Sequence, residues 1–260
     1  MLRRRDACLE PTLPGRSLRQ GRLDCRQLGL CTLWLTAEQG VTSLAGLVAE
    51  WEDQSSGGVR MVVSGAHGLP SFSHADATFR SMPAVEFSPA AAPNGSDRLQ
   101  SISYTPLKQP NTVAVVFQNQ KSNASNISGW ITSYGSGGSA ANQIWCQGDA
   151  GGTKHTVKCG AGASAATTTE YALNVGRSTV ALFNGASAQL WVDGVHELEN
   201  ANFGTANFDL IGIGDLFSTD NEMCYFDGKI AELAVWNRVL SAGEIQAVTD
   251  AWAAKYGVAQ

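Results

Sequence analysis

The chain has 260 residues, of which only 16% are charged and 28 are glycine, a composition that suits one large all-β domain and argues against a helical bundle. Its net charge of −5 is uneven: residues 1–30 hold seven arginines against Asp6, Glu10 and Asp24, a balance of +4, which leaves −9 for the remainder. An acidic body excludes broad nucleic-acid binding, and no apolar run reaches the ~20 residues that a membrane span needs.

Residues 1–30 show neither helical nor strand periodicity and are broken by Pro11, Pro14, Gly15 and Gly21. They are expected to form a basic, extended arm, with Arg3, Arg4, Arg5, Arg16, Arg19 and Arg22 available to touch phosphates or an acidic partner. The apolar stretch 28–37 is read as the end of this arm and a first strand. As the core of a secretory signal it would begin too late, behind 27 other residues.

Strand-like runs follow at 33–36, 47–52 and 59–63, then a Ser-, His- and Pro-containing loop over 65–83 and a strand at 84–88. Residues 112–119 (TVAVVFQN) are almost continuously apolar, as expected of a strand buried on both sides or in a sandwich core. Strands at 129–134, 143–147 and 154–159 come next, and 160–169 reads as a surface connection. The clearest hairpin is 178–194, where two alternating strands flank Asn184 and Gly185. In its second strand Ala188, Leu190 and Val192 share one face, with Gln189, Trp191 and Asp193 on the other. Strands at 208–212 and 224–236 complete the set.

One helix closes the chain. Ser241 is a good N-cap and Glu244 completes a capping box. Ile245, Val248, Trp252 and Tyr256 then form one apolar stripe, and Gly257 is placed to stop the helix in a left-handed conformation. The stripe is expected to lie against the sandwich.

STVALFNGASAQLWVDGV, YFDGKIAELAVWNRVLSAGEI and AWAAKYG, together with LWLTAEQGV and VAEWEDQSSG upstream, resemble a laminin-G-like domain of the concanavalin A-like lectin/glucanase superfamily, of bacterial or phage type. The resemblance runs from about Leu33 to Gly257. It implies an all-β, two-sheet antiparallel jelly-roll sandwich over 31–260, with one C-terminal helix and the extended arm at 1–30. Such domains bind glycans, proteins or calcium, and less often cut polysaccharide.

Candidate chemistry is sparse. Sugar binding wants an aromatic platform beside polar groups, which selects Trp130, Tyr134, Asn142 and Trp145, whereas Trp51, Trp236 and Trp252 are expected in the core. Calcium wants several oxygens; the acidic segment before the last strand offers Asp215, Asp220 and Glu222, and Asp227 is expected to serve a turn. Retaining glucanases of the resembled superfamily carry an E-x-D-x-x-E arrangement, and the nearest stretch runs from Glu50 through Glu52 and Asp53 to Ser55, where the last acid is missing. His67, His74, His155 and His196 are read as surface residues of loops and turns. No CxxC occurs among the six cysteines, and Cys146 and Cys159 flank a turn-rich segment as either a disulfide or two buried thiols.

The sequence is therefore read as a non-enzymatic binding protein. The reading places it on a phage virion surface, as a capsid-decoration or tail component in an oligomeric assembly. Its arm would hold other virion proteins, and its domain would meet cell-surface glycans or neighbouring proteins. A secreted bacterial carbohydrate-binding module is the alternative, and a polysaccharide hydrolase the third.

Overall fold

The computed structural model describes residues 24–63, 68–88, 97–121, 127–134, 140–149, 152–208, 210–214 and 226–260, with backbone only at 127–134 and 140–142. In chain order the strands are β1 (Cys31–Thr36), β2 (Val41–Leu44), β3 (Leu47–Glu52), β4 (Arg60–Val63), β5 (Ser71–Asp76), β6 (Met82–Phe87), β7 (Leu99–Ser101), β8 (Asn111–Asn119) and β9 (Ile127–Tyr134). They continue with β10 (Ala140–Gly148), β11 (Lys154–Gly160), β12 (Ser164–Ala166), β13 (Tyr171–Ala172), β14 (Gly176–Phe183), β15 (Ala188–Val192), β16 (Val195–Ala201), β17 (Gly212–Ile213) and β18 (Gly228–Trp236). Helix α1 (Ala242–Tyr256) ends the fold. No helix among the described residues is long and apolar enough to cross a membrane.

The ladders between strands are antiparallel and build a two-sheet jelly-roll sandwich. The first sheet runs β16-β15-β14-β8-β18, and beyond β18 come β1 on its C-terminal half and β6, then β5, on its N-terminal half. The second runs β2-β3-β4-β7-β17-β9-β10-β11, with β12 and β13 on the far edge of β11. One pair, Leu47 with Ser71, joins the sheets at an edge. Side-chain alternation divides the apolar residues between two cores. Val113, Val115 and Phe117 of β8 face the second sheet, alongside Trp51, Met61, Val157 and Cys159. Ala114 and Val116 face the other way, toward Trp252 and Tyr256 of α1. The central strands are buried on both faces, which is why 112–119 is apolar almost throughout.

The α1 end of the chain matches its sequence reading residue by residue. Ser241 and Glu244 form the capping box, Gly257 takes φ +69°, and Ile245, Val248, Trp252 and Tyr256 are buried. The helix covers the outer face of the first sheet. In the 178–194 hairpin Ala188, Leu190 and Val192 enter the inter-sheet core and Trp191 the helix-side core, as the alternation requires. Its turn is longer than a two-residue one: Gly185–Ser187 form a 3-10 turn, and Gly185 alone takes the positive φ.

Several expectations change. The stretch 65–83 holds β5 as well as the start of β6, and 160–169 holds β12. The expected boundary at residue 30 moves back, because residues 24–30 pack on the domain. Cys25 is fully buried, its carbonyl accepts the Trp236 indole N–H at 3.1 Å, and the Leu30 carbonyl accepts the Asn237 N–H at 3.0 Å. Cys146 and Cys159 are two buried thiols and not a disulfide: on the β10–β11 ladder Cys146 opposes Val157 and Cys159 opposes Ile144. The six arm arginines fall outside the described residues.

Candidate functional site

The residues selected from sequence do not assemble into one platform. On the β9–β10 hairpin Gly129 opposes Trp145, which brings the backbones of Trp130 and Trp145 close, while Tyr134 opposes Ala140 at the hairpin's other end. Asn142 lies on the same far half of β10. Trp145 is only 6% exposed, and the Lys158 ammonium stands 5.3 Å from its ring centroid. The expectation of an open stacking surface at Trp145 is therefore corrected, because its ring is already covered. Asp215, Asp220 and Glu222 lie outside the described residues, and among those that are described no group of three or more His, Cys, Asp or Glu is placed to hold a metal.

The glucanase-like stretch is occupied by structural work. Trp51 is core, and its indole N–H donates to the Thr36 carbonyl at 3.1 Å. Asp53 organises a turn, accepting from the Trp34 and Ser55 N–H groups at 2.7 Å each and from the Ser55 hydroxyl at 2.7 Å. Glu50 forms a two-point ion pair with Arg60, which holds its carboxyl below the usual range. A glycosidic general acid needs the opposite shift.

A different group of polar side chains does converge, at the end of the sandwich where β8 stops and β11, β14 and β18 begin. Strand parity puts it there. Val113, Val115 and Phe117 point inward, so Asn119 does too; Val157 and Cys159 point inward, so His155 does too. Arg177 opposes Phe117 across the β14–β8 ladder and shares its face, and Tyr171 opposes His155 across β13–β11. Each of three core strands thus finishes on a polar inward position.

The His155 and Phe117 ring centroids are 6.2 Å apart, those of His155 and Tyr171 6.0 Å, and the Arg177 guanidinium lies 4.7 Å from the Tyr171 centroid. Arg177 Nη1 donates to Asp193 Oδ2 at 2.5 Å, and Asp193 Oδ1 accepts the Ser178 N–H at 2.9 Å. Burial still raises the Asp193 carboxyl above its ordinary value, outweighing the Ser178 and Arg177 bonds that lower it. Asn119 and His155 are each 1% exposed. Both ring nitrogens of His155, both amide atoms of Asn119 and Arg177 Nε are buried without a hydrogen-bond partner, whereas the Tyr171 hydroxyl faces Thr169 and the Glu197 carboxylate, which joins burial in raising its pKa. Burial, aided by the Arg177 charge, lowers the His155 pKa to about 4, so the imidazole is neutral near pH 7.

The reading of His155 as a surface histidine is thereby overturned. The sequence signal was present: the histidine sits two and four residues before Val157 and Cys159, on the parity of a buried face. His74 and His196 also lie in strands, β5 and β16, and are exposed there, with His196 stacked on Trp191 at 4.0 Å. The same end is tightly closed in its backbone. The Asn174 N–H donates to the Asn119 carbonyl and the Gln120 N–H to the Asp227 carbonyl, at 2.9 and 2.8 Å. A Cβ on Gly228 would lie 2.1 Å from the Gln118 carbonyl oxygen, so only glycine fits where β18 starts. Asp227 precedes that glycine, as the turn reading expects, and its carboxyl is raised by burial.

The model of one family matches residues 99–246, more than half of the chain and including every strand that builds this end. The chain belongs to the concanavalin A-like lectin/glucanase superfamily. Sequence comparison finds no match among curated proteins. Structure comparison places this superfamily member near a heptameric SAP-like pentraxin from Limulus polyphemus, at 13% identity and TM-score 0.52, covering 63% of this chain and 80% of the pentraxin. It is also similar to an α-L-arabinofuranosidase soaked with a cyclic sulfate inhibitor, at 11% identity and TM-score 0.62, covering 82% of this chain and 52% of that one. A third neighbour is the binding domain of Paraclostridial Mosquitocidal Protein 1, at 8% identity and TM-score 0.60, with 86% and 53% covered. The chain spans about half the length of the last two. At these identities the likeness is one of fold, and the fold serves binding domains and glycosidases alike.

Proposed function

We propose that this protein is a non-catalytic, lectin-like binding protein that recognises a glycan or a neighbouring protein at the end of the sandwich where β8, β11 and β14 meet. The observation that carries the reading is the convergence of Asn119 and His155, uncharged polar groups whose hydrogen-bonding capacity is unspent, beside Tyr171. Recognition sites use a few convergent polar groups on a rigid scaffold in this way. The ion pair that occupies Glu50 supports binding over glycoside cleavage. A binding domain among the structural neighbours agrees with the reading, and the arabinofuranosidase neighbour sets the alternative to be tested.

A glycan array probed with and without calcium tests this. Saturable binding without reducing-sugar release supports the proposal, and release that disappears in a Glu50→Gln protein overturns it in favour of a hydrolase. Calcium is proposed from sequence, with Asp215, Asp220 and Glu222 as oxygen donors, and its removal by chelator is the corresponding arm. Placement on a virion, with the arm gripping neighbouring subunits, is proposed from the charge of residues 1–30. Because Cys25 is part of the domain, the informative deletion stops at residue 23. Loss of particle incorporation by a folded protein would support the grip, and unchanged incorporation would sink it.

A further inference from the structure

Beyond the loops that a ligand first meets, the space between the sheets has chemistry of its own at this end. Asn119, His155 and Tyr171 sit at terminal inward positions of β8, β11 and β13, walled by Phe117 and by the Arg177–Asp193 pair. A buried polar atom without a partner has given up its bonds to water and gained none in return, and native interiors hold few such atoms. Here five belong to Asn119, His155 and Arg177.

We propose that this end of the inter-sheet space is a binding site for a hydroxyl group, supplied by water or by a neutral saccharide, held between His155, Asn119 and Tyr171. The donor set selects the class. A neutral imidazole offers one N–H and one bare nitrogen, an amide offers both an NH2 and a carbonyl oxygen, and a phenol donates or accepts. A hydroxyl likewise donates once and accepts, so it can complete such a set from either side. A carboxylate or phosphate only accepts, and although Arg177 Nε is open, the guanidinium charge is already balanced by the Asp193 carboxylate beside it. A cation would look for a carboxylate, but the Asp193 oxygens are taken by Arg177 and by the Ser178 N–H, and the Glu197 carboxylate beside Tyr171 accepts from the Thr169 hydroxyl. Buried polar sites of this kind characteristically hold ordered water, and sugar hydroxyls satisfy the same geometry. The saccharide arm rests on the lectin-like reading; the water arm does not.

The test uses the full chain labelled with 15N and 13C at histidine, its His155 signals identified by their absence in His155→Phe. Cross-peaks between the His155 ring and bound water, unchanged by glucose, galactose or N-acetylglucosamine, assign the hydroxyl to water. A saturable shift of the ring nitrogens by one of these sugars, with loss of the water cross-peaks, assigns it to the saccharide. Neither signal overturns the proposal, because the three side chains are then dry or bonded to one another. Asn119→Leu keeps the reporter and is expected to remove the water cross-peaks or weaken sugar binding at least tenfold; no change in either would also overturn the site as drawn. A positive glycan array with a dry His155 sinks this inference and the placement of recognition at this end, and leaves lectin-like binding standing. A negative array with a hydrated His155 sinks the lectin-like reading alone.

Discussion

Two of the regions in which this protein buries polar side chains treat them in opposite ways. Under α1, the Glu232 carboxylate is 1% exposed and fully engaged: it accepts from the Trp34 indole at 2.8 Å, the Lys255 ammonium at 2.8 Å and the Tyr256 hydroxyl at 2.5 Å, with the Cys25 thiol at 3.9 Å. Those donors come from the 3-10 turn Cys25–Leu28, β1 and α1, so one carboxylate on β18 fastens three separate segments. At the loop end, His155 and Asn119 are equally buried and have no partner. A buried charge persists where rigid elements bring donors to it, and polar groups stay receptive where strands run out. The first region is a fastening, and the second is the end at which we propose a receptor.

The largest expected effect breaks the fastening. Glu232→Ala leaves buried donors unpaired and is expected to cost about 3–5 kcal/mol in urea unfolding, the range for removing one partner of a buried pair. Lys255 keeps Glu38 at 2.7 Å, which places the loss toward the lower end. A cost below about 1 kcal/mol would mean that the network is decorative.

Next comes the pH dependence of the receptor end. The His155 pKa is about 4 in the folded protein, against 6.5 for an ordinary histidine. Its stabilising contribution is therefore complete above the higher value, declines as pH falls between the two, and levels off below the lower. The gap is worth on the order of 3 kcal/mol. The difference between wild type and His155→Phe, followed from pH 7.5 to 3.5, isolates this contribution, and a flat difference would show that the His155 imidazole titrates alike in the folded and unfolded chain.

Smaller effects calibrate the comparison. Ser241→Ala removes the N-cap of α1 and is expected to cost about 1 kcal/mol. The Arg238 ion pair, with help from Ser241, holds the Glu244 carboxyl at about 2, so its contribution is present above the ordinary 4.5 and is lost as pH falls toward the folded value. An acid titration of thermal unfolding, compared with Glu244→Gln, checks it. Smallest of all, Glu50→Gln breaks an exposed pair and is expected to change stability by less than about 0.5 kcal/mol in the same assay.

The bulge in β18 shows why the fastening could not be read in advance. Strict alternation from Ile230, which faces the inter-sheet core, would put Glu232 in that core too. A register shift between Ile230 and Glu232 against β8 lets both Ala231 and Glu232 face α1. Nothing in the KIAEL stretch announces the extra residue. Two further strands escaped for a related reason: β5 (SFSHAD) and β16 (VHELENA) carry little apolar alternation and are held by their neighbours' backbone bonds.

Sequence alone determined what depends on near neighbours in the chain. The capping box, the apolar stripe of α1, the two faces of β15 and the doubly buried β8 are each specified within a few residues. The sheet order, the β18 bulge that turns Glu232 toward Lys255, and the meeting of Asn119, His155, Tyr171 and Arg177 were decided only by tertiary structure. Those contacts join strands that are distant in the chain, and a residue's local pattern shows which face it occupies but not what waits across from it.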